Sequence, residues 1–161
     1  MNAHELMNRN FRTLRPATPI ATALEVFYQA TEQEGKRVFG LMVTDHHSHL
    51  VGILSMYDIL TLLQPKHIHV WGEMRDIDVS GLIETMCRKC GDLLVSDIMT
   101  TEIITVSGDT HIFGVLELMI KHHIRRIPVV EDGAVAGIVY LSDLFFHLAE
   151  MVKQQGESRK P

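Results

Sequence analysis

The chain contains itself twice. Displacing the sequence by 92 lays residues 6–28 on 98–120. Six of these 23 positions are then identical: Met7/Met99, Thr13/Thr105, Thr18/Thr110, Ile20/Ile112, Leu24/Leu116 and Glu25/Glu117. Most other pairs keep apolar character, such as Leu6/Ile98, Phe11/Ile103 and Leu14/Val106. The offset falls to 86 where Leu41-Met42-Val43 meets Ile127-Pro128-Val129. It falls to 85 where Val51-Gly52-Ile53-Leu54 meets Ala136-Gly137-Ile138-Val139 and Asp58 meets Asp143. The first copy thus carries six extra residues between 28 and 41, around Gln33-Glu34-Gly35-Lys36, and one more in the His-rich stretch 45–49. Both insertions are polar and are expected in loops, which tolerate length change. A fold for this chain has to build one supersecondary unit twice.

Each copy reads the same way. Ile20, Ala23, Leu24 and Phe27 recur at i, i+3, i+4, i+7, and so do Ile112, Val115, Leu116 and Met119. That is the stripe of an amphipathic helix. Thr18-Pro19 predicts an N-cap followed by proline at the first helical position, and Asp109-Thr110 takes the capping part in the second copy. Two runs rich in Val and Ile follow each helix, 38–44 then 50–55 and 127–131 then 134–140. They are separated by Asp45–His49 and by Glu131-Asp132-Gly133, and read as hairpins. A second helix is expected over 58–63 and over 143–152. Each repeat is therefore βαββα, in an α/β (α+β) class. A copy of about 60 residues cannot bury both faces of its sheet. The two are expected to pack sheet to sheet around a pseudo-twofold axis.

The division that follows is a first repeat at 1–63, a linker at 64–94, a second repeat at 95–152 and a polar tail at 153–161. Pro65 stops the helix before it. Ile77, Leu82, Ile83 and Met86 predict a short linker helix near 79–90, with Trp71 as a packing anchor.

Composition excludes several functions. Fifteen basic against 20 acidic side chains give a net charge of −5, which argues against binding nucleic acid by phosphate neutralisation. No apolar run approaches the roughly 20 residues that span a bilayer. The first 15 residues have no apolar stretch of signal-peptide type, so the expected location is cytoplasmic. Cys87 and Cys90 are the only two cysteines; they read as reduced residues on a linker helix, not as a disulfide framework or a complete zinc site. His46, His47 and His49 in the first hairpin turn, and His67 and His69 in the linker, read as exposed loop residues, and no metal is expected. No phosphate loop, GxGxxG or nucleophile–base pattern occurs, so no catalytic residue is assigned.

The second copy runs Val95-Ser-Asp-Ile-Met-Thr-Thr101, Ile104-Thr-Val106, Asp109-Thr110, Leu116-Glu-Leu-Met119, Arg126-Ile-Pro-Val-Val130, Gly137-Ile-Val139 and Ser142-Asp-Leu144. This succession resembles the CBS domain. The first copy resembles it more loosely, through Glu5-Leu-Met7, Thr18-Pro19, Gly40-Leu-Met-Val43, Gly52-Ile-Leu-Ser55 and Asp58-Ile-Leu60. Two in tandem resemble a stand-alone Bateman module. The resemblance implies a regulatory, non-catalytic protein. It further implies an adenosine ligand (AMP, ADP, ATP or S-adenosylmethionine) in the cleft between repeats, a homodimer, and a regulated protein partner.

The residues can be weighed for that chemistry. One carboxylate accepts both hydroxyls of a ribose cis-diol, and Asp58 and Asp143 stand where the family has its ribose aspartate. Both also suit a helix start without any ligand. Ser55 keeps the family's hydroxyl three residues earlier, whereas Tyr140 departs from it. Thr18 and Thr110 match a ligand-contacting threonine and also read as N-caps. Ile20 and Ala23, and Ile112 and Val115, are candidate walls for an adenine as well as candidate core. Arg125 and Arg126 match the family's basic residues aimed at the phosphates of the nucleotide on the other repeat, and Phe39 and Gly40 replace them in the first copy. The expected stronger site is Thr18, Ile20, Ala23, Ser55 and Asp58 with Arg125 and Arg126. A weaker site comprises Thr110, Val115, Tyr140 and Asp143. The alternative is a structural dimerisation protein whose pockets are filled by side chains such as Tyr140.

Overall fold

A computed structural model describes residues 1–64 and 80–157. The elements are α1 (Ala3–Leu6), β1 (Thr13–Leu14), α2 (Ile20–Glu34), β2 (Gly40–Thr44), β3 (Leu50–Ser55), α3 (Met56–Leu63), α4 (Ser80–Asp92), α5 (Val95–Ile98), α6 (Ile112–Lys121), β4 (Arg126–Glu131), β5 (Ala134–Tyr140) and α7 (Leu141–Glu157). The mixed α and β content matches the class expected from the periodicities. Trp71, Ile77, His67 and His69 lie outside the described residues, as does the end of the tail.

Two compact units result. One comprises the described residues of Arg12–Ile103, the other Met1–Phe11 with the chain from Ile104 onward. In the 12–103 unit the strand order is β1-β2-β3, with β1 parallel and β3 antiparallel to β2. In the other unit β4 and β5 pair antiparallel, and Val106 adds a parallel bridge to Val129. The ladders carry a bulge at matched places, after Val43 and after Val129. The second hairpin closes on Asp132-Gly133, both at positive φ (51° and 81°). This is the two-residue turn that strand twist favours.

Alternation along the strands builds each core. Leu41, Val43 and Leu54 turn one face toward Ile20 and Ala23 of α2 and Ile59 of α3, joined by Cys90 and Val95. Ile127, Val129 and Val139 meet Ile112, Val115 and Met119 of α6 and Leu144 of α7, joined by Ala3 and Met7.

The units are not the sequence repeats, because the entry segments are exchanged. Asn8 pairs with Ile138 through two backbone hydrogen bonds, at 2.8 and 3.0 Å. Thr100 pairs with Ile53 in the same manner, both at 2.9 Å. Ala3 N–H donates to Thr110 and Val95 N–H to Thr18, each at 2.8 Å. Methionine over glycine completes both joints. A Cβ at Gly137 would stand 2.6 Å from Sδ of Met7, and one at Gly52 would stand 3.0 Å from Cγ of Met99. The two methionines and the two glycines are repeat-equivalent, yet each methionine covers the glycine of the other copy.

Three local readings need correction. The threonines do not cap the first helices. Pro19 is the N-cap of α2 with no side-chain hydrogen bond, and the Ile20 N–H donates instead to the Leu93 carbonyl at 2.8 Å. His111 caps α6, its Nδ1 accepting the Phe113 N–H at 3.3 Å. The six-residue insertion is also mostly not a loop. It lengthens α2 to 15 residues against ten in α6, until Gly35 ends the helix in the left-handed region. Arg12 fastens the added turn by donating to Gln29 and Gln33 at 3.1 and 2.8 Å.

Candidate functional site

The best-formed polar arrangement among the predicted residues is the corner where β3 runs into α3. Ser55 ends the strand in extended conformation and is the N-cap of α3. Its Oγ accepts the Asp58 N–H at 3.2 Å and donates to Asp58 Oδ2 at 2.6 Å. The Ser55 N–H donates to the same Oδ2 at 2.7 Å. This reciprocal capping box satisfies backbone donors that the first helical turn leaves open. The Met56 N–H next to it donates to the Phe39 carbonyl at 2.9 Å, which ties the corner to the chain entering β2. Ser55 and Asp58 are half-buried. The carboxylate thus stands at the positive end of an eight-residue helix, where negative charge is favoured.

The equivalent corner is built differently. Tyr140 ends β5 opposite Arg126 and supplies no small hydroxyl at the cap position. Ser142 Oγ contacts Asp143 Oδ1 at 3.3 Å. The Leu141 N–H donates to the Arg125 carbonyl at 2.9 Å, as Met56 does to Phe39. The backbone frame is thus repeated, with Tyr140 where the first corner has Ser55.

The other predicted residues are distributed as follows. Thr18 lies in the 12–103 unit before α2, its Oγ1 accepting the Arg15 N–H at 3.3 Å and its carbonyl the Val95 N–H. Ile20 and Ala23 are fully buried in that unit's core, as Val115 and Ile112 are in the other. Thr110 Oγ1 shares a hydrogen bond with Ser107 at 3.1 Å. Arg125 is exposed in the segment before β4, and Arg126 opens β4, half-buried. Both belong to the unit that does not hold Ser55 and Asp58.

Two features outside this set were weighed in the sequence. In the first hairpin turn, Asp45 accepts the N–H groups of His47 and His49 at 2.8 and 2.9 Å, and His49 Nδ1 lies 3.3 Å from it. Slight desolvation opposes these contacts, but the two backbone donors and the His49 ring outweigh it. They hold the Asp45 carboxyl below its ordinary 3.8. On α4, Cys90 is buried in the core and Cys87 is exposed. Burial, and then the neighbouring Cys87, pushes the Cys90 thiol up, which disfavours a reactive thiolate. Nothing in the sequence pattern marks His111 as a cap. The matched pairs Met7/Met99 and Gly52/Gly137 stand in the sequence, but which glycine each methionine covers does not.

Comparison with known proteins settles the family. The CBS domain family model matches residues 3–65 and again 95–150. The chain belongs to the CBS-domain family. A chloroplastic CBS domain-containing protein of Arabidopsis thaliana, CBSX2, is 28% identical over 138 residues, covering 81% of this chain and 56% of the relative. The chain thus spans little more than half the length of that relative. The crystal structure of CBSX2 in complex with AMP superposes with a TM-score of 0.68 at 24% identity, covering 93% of this chain and 97% of that one. The CBS domain of a CBS domain-containing membrane protein from Sphaerobacter thermophilus superposes with a TM-score of 0.69 at 25% identity, covering 91% and 86%. No described helix of the present chain is long and apolar enough to cross a membrane.

Proposed function

We propose that this CBS pair is a regulatory module that senses an adenosine nucleotide and carries no catalytic activity of its own. The observation that carries the reading is the Ser55–Asp58 corner: a half-buried carboxylate, fixed at a helix start, in the register where the family resemblance places its ribose acceptor. The AMP complex of the related CBSX2 supports the ligand class. Asp58 accepts the ribose hydroxyls, and Thr18 stands near the start of α2 as a further polar contact. Arg125 and Arg126 are assigned to the phosphates on the asymmetry of the two repeats alone. Ile20 and Ala23 support the site from the core, since neither is exposed. The sequence reading of a second, weaker site at Thr110, Val115, Tyr140 and Asp143 is retained, and AMP, ADP, ATP and S-adenosylmethionine are the candidate ligands.

The same proposal makes the protein a cytoplasmic homodimer with a regulated protein partner. Phe145 and Phe146 on α7 are 62% and 69% exposed and Phe113 on α6 is 63% exposed. Such apolar helix surface favours association. These residues also favour a second reading, a dimerisation protein that needs no nucleotide.

A thermal-shift titration separates the readings. A nucleotide that binds only the folded chain stabilises it by RT ln(1 + [L]/Kd), about 2.7 kcal/mol at a hundredfold excess over Kd. A rise in melting temperature with AMP, ADP or ATP is expected. A flat melting temperature with all four candidates, together with a dimer in sedimentation, leaves only the second reading.

A further inference from the structure

We infer that Met99 is an oxidation site, whose sulfoxide unfastens the entry segment of the second repeat from β3. The thioether lies over Gly52, as that of Met7 lies over Gly137. Gly52 shares the inward face of β3 with Leu54, a core residue two positions on. A Cβ at Gly52 would stand 3.0 Å from Met99 Cγ and 3.3 Å from its Cε. The methionine thus fills the space that the glycine leaves open. Beside it, Ile53 and Thr100 exchange two backbone hydrogen bonds, both at 2.9 Å, which hold the segment to the strand. The two methionine joints match in packing and differ in access. Met7 is buried within its core, whereas Met99 is only partly buried where it packs on its own. Of the two, Met99 is therefore the first to meet an oxidant from solvent.

The oxidant required is a hydroperoxide. A sulfur lone pair attacks one oxygen of hydrogen peroxide, the O–O bond breaks and an S–O bond forms. The departing hydroxide takes the proton of the transferred oxygen and leaves as water. Sulfur is oxidised by two electrons and the peroxide is reduced by two. The product exchanges a flexible apolar side chain for a polar, chiral one. The new oxygen enlarges a group that already fills the gap over Gly52, and overpacking destabilises. It also carries a strong acceptor into an apolar contact, which costs free energy unless a donor meets it. The oxidised side chain is expected to leave Gly52 and to loosen the Ile53–Thr100 bridge next to it.

The test is mild treatment of the full chain with hydrogen peroxide, followed by peptide mass spectrometry and amide exchange. Met1, Met56 and Met151 are exposed and gauge the dose. Met99 should gain oxygen after them and well before Met7. Exchange at Ile53 and Thr100 should rise by about tenfold with Met99 oxidation, the scale set by an unmatched polar group in an apolar contact. Asn8 and Ile138, which form the other bridge, should stay protected. Met99→Leu nearly conserves volume, cannot take the oxygen and should keep its protection in peroxide. Met99→Gln puts a polar group at the same place and should raise exchange without oxidant. Oxidation of Met7 as fast as Met99, or unchanged exchange at Ile53 and Thr100 once Met99 carries its oxygen, overturns the inference. Both are read on the unsubstituted protein and do not depend on a variant folding. Equal loss of protection in peroxide-treated Met99→Leu overturns it as well, by assigning the effect to another residue.

Discussion

The β3–α3 and β5–α7 corners share a backbone and differ in chemistry. In both, a strand ends, a helix starts at once, its first N–H donates to the carbonyl of the residue just before the hairpin, and an aspartate follows in the first turn. At the first, Ser55 and Asp58 close a reciprocal box. At the second, Tyr140 takes the place of the serine. The duplication therefore preserved the frame, which both cores require, while the residue at the cap position diverged from serine to tyrosine.

The largest effect expected from breaking this comparison is electrostatic. Arg126→Ala should weaken AMP, ADP and ATP by about tenfold or more, since a hydrogen bond to a charged group contributes about 1.5–3 kcal/mol. Adenosine offers no phosphate, and its affinity should stay within twofold. Equal loss for adenosine would remove Arg126 from the phosphate role. The shared frame is tested next by Gly52→Ala and Gly137→Ala. Each places a methyl group against the methionine of the exchanged entry segment and should cost about 1–3 kcal/mol by overpacking. Similar losses in chemical denaturation are expected, and a loss at only one glycine would show that the exchanged joints are not equivalent.

Smaller effects sharpen the contrast between the units. Only the 12–103 unit holds α4, whose Cys90 is buried with a raised thiol and whose Cys87 is exposed. Native iodoacetamide labelling should modify Cys87 first, with Cys90 following only after unfolding. Rapid labelling of Cys90 in the native state would contradict its place in the core. The hairpin turns should differ in acid. The folded Asp45 carboxyl lies below its unfolded value. Its contribution is thus complete above the ordinary carboxylate range and is lost as pH falls through the folded value. Amide exchange in the turn 45–49 should therefore rise in acid relative to the turn at Asp132-Gly133, by a small factor because Asp45 lies at the surface. Equal behaviour of the two turns would argue against the Asp45 contacts.

Much of this was legible in the sequence because periodicity reports burial. The stripe at Ile20, Ala23 and Phe27 and the runs around Leu41 and Val129 mark elements whose apolar faces must meet, and they lie where expected, although Leu24 of the same stripe is 40% exposed. The exchange of entry segments was not legible, since the self-alignment equates Met7 with Met99 without saying which glycine each covers. The caps misled for a related reason. Thr18 has the right chemistry for an N-cap, but its hydroxyl is used by Arg15 while the Ile20 N–H is met by Leu93. A long-range partner took over a local propensity. At the candidate site, the register of Ser55 and Asp58 could be read directly. The closed box between them could not, because it depends on rotamers that sequence does not specify.

The central claim is that the two aspartates are unequal. Calorimetric titration of AMP into the unsubstituted chain, Asp58→Ala and Asp143→Ala tests it most directly. Asp58→Ala should weaken AMP by roughly ten- to a hundredfold, the worth of one or more hydrogen bonds to a charged acceptor, and Asp143→Ala should leave the stronger binding event within about twofold. Loss of binding in Asp143→Ala with Asp58→Ala unaffected would contradict the account and assign the ligand to the other corner.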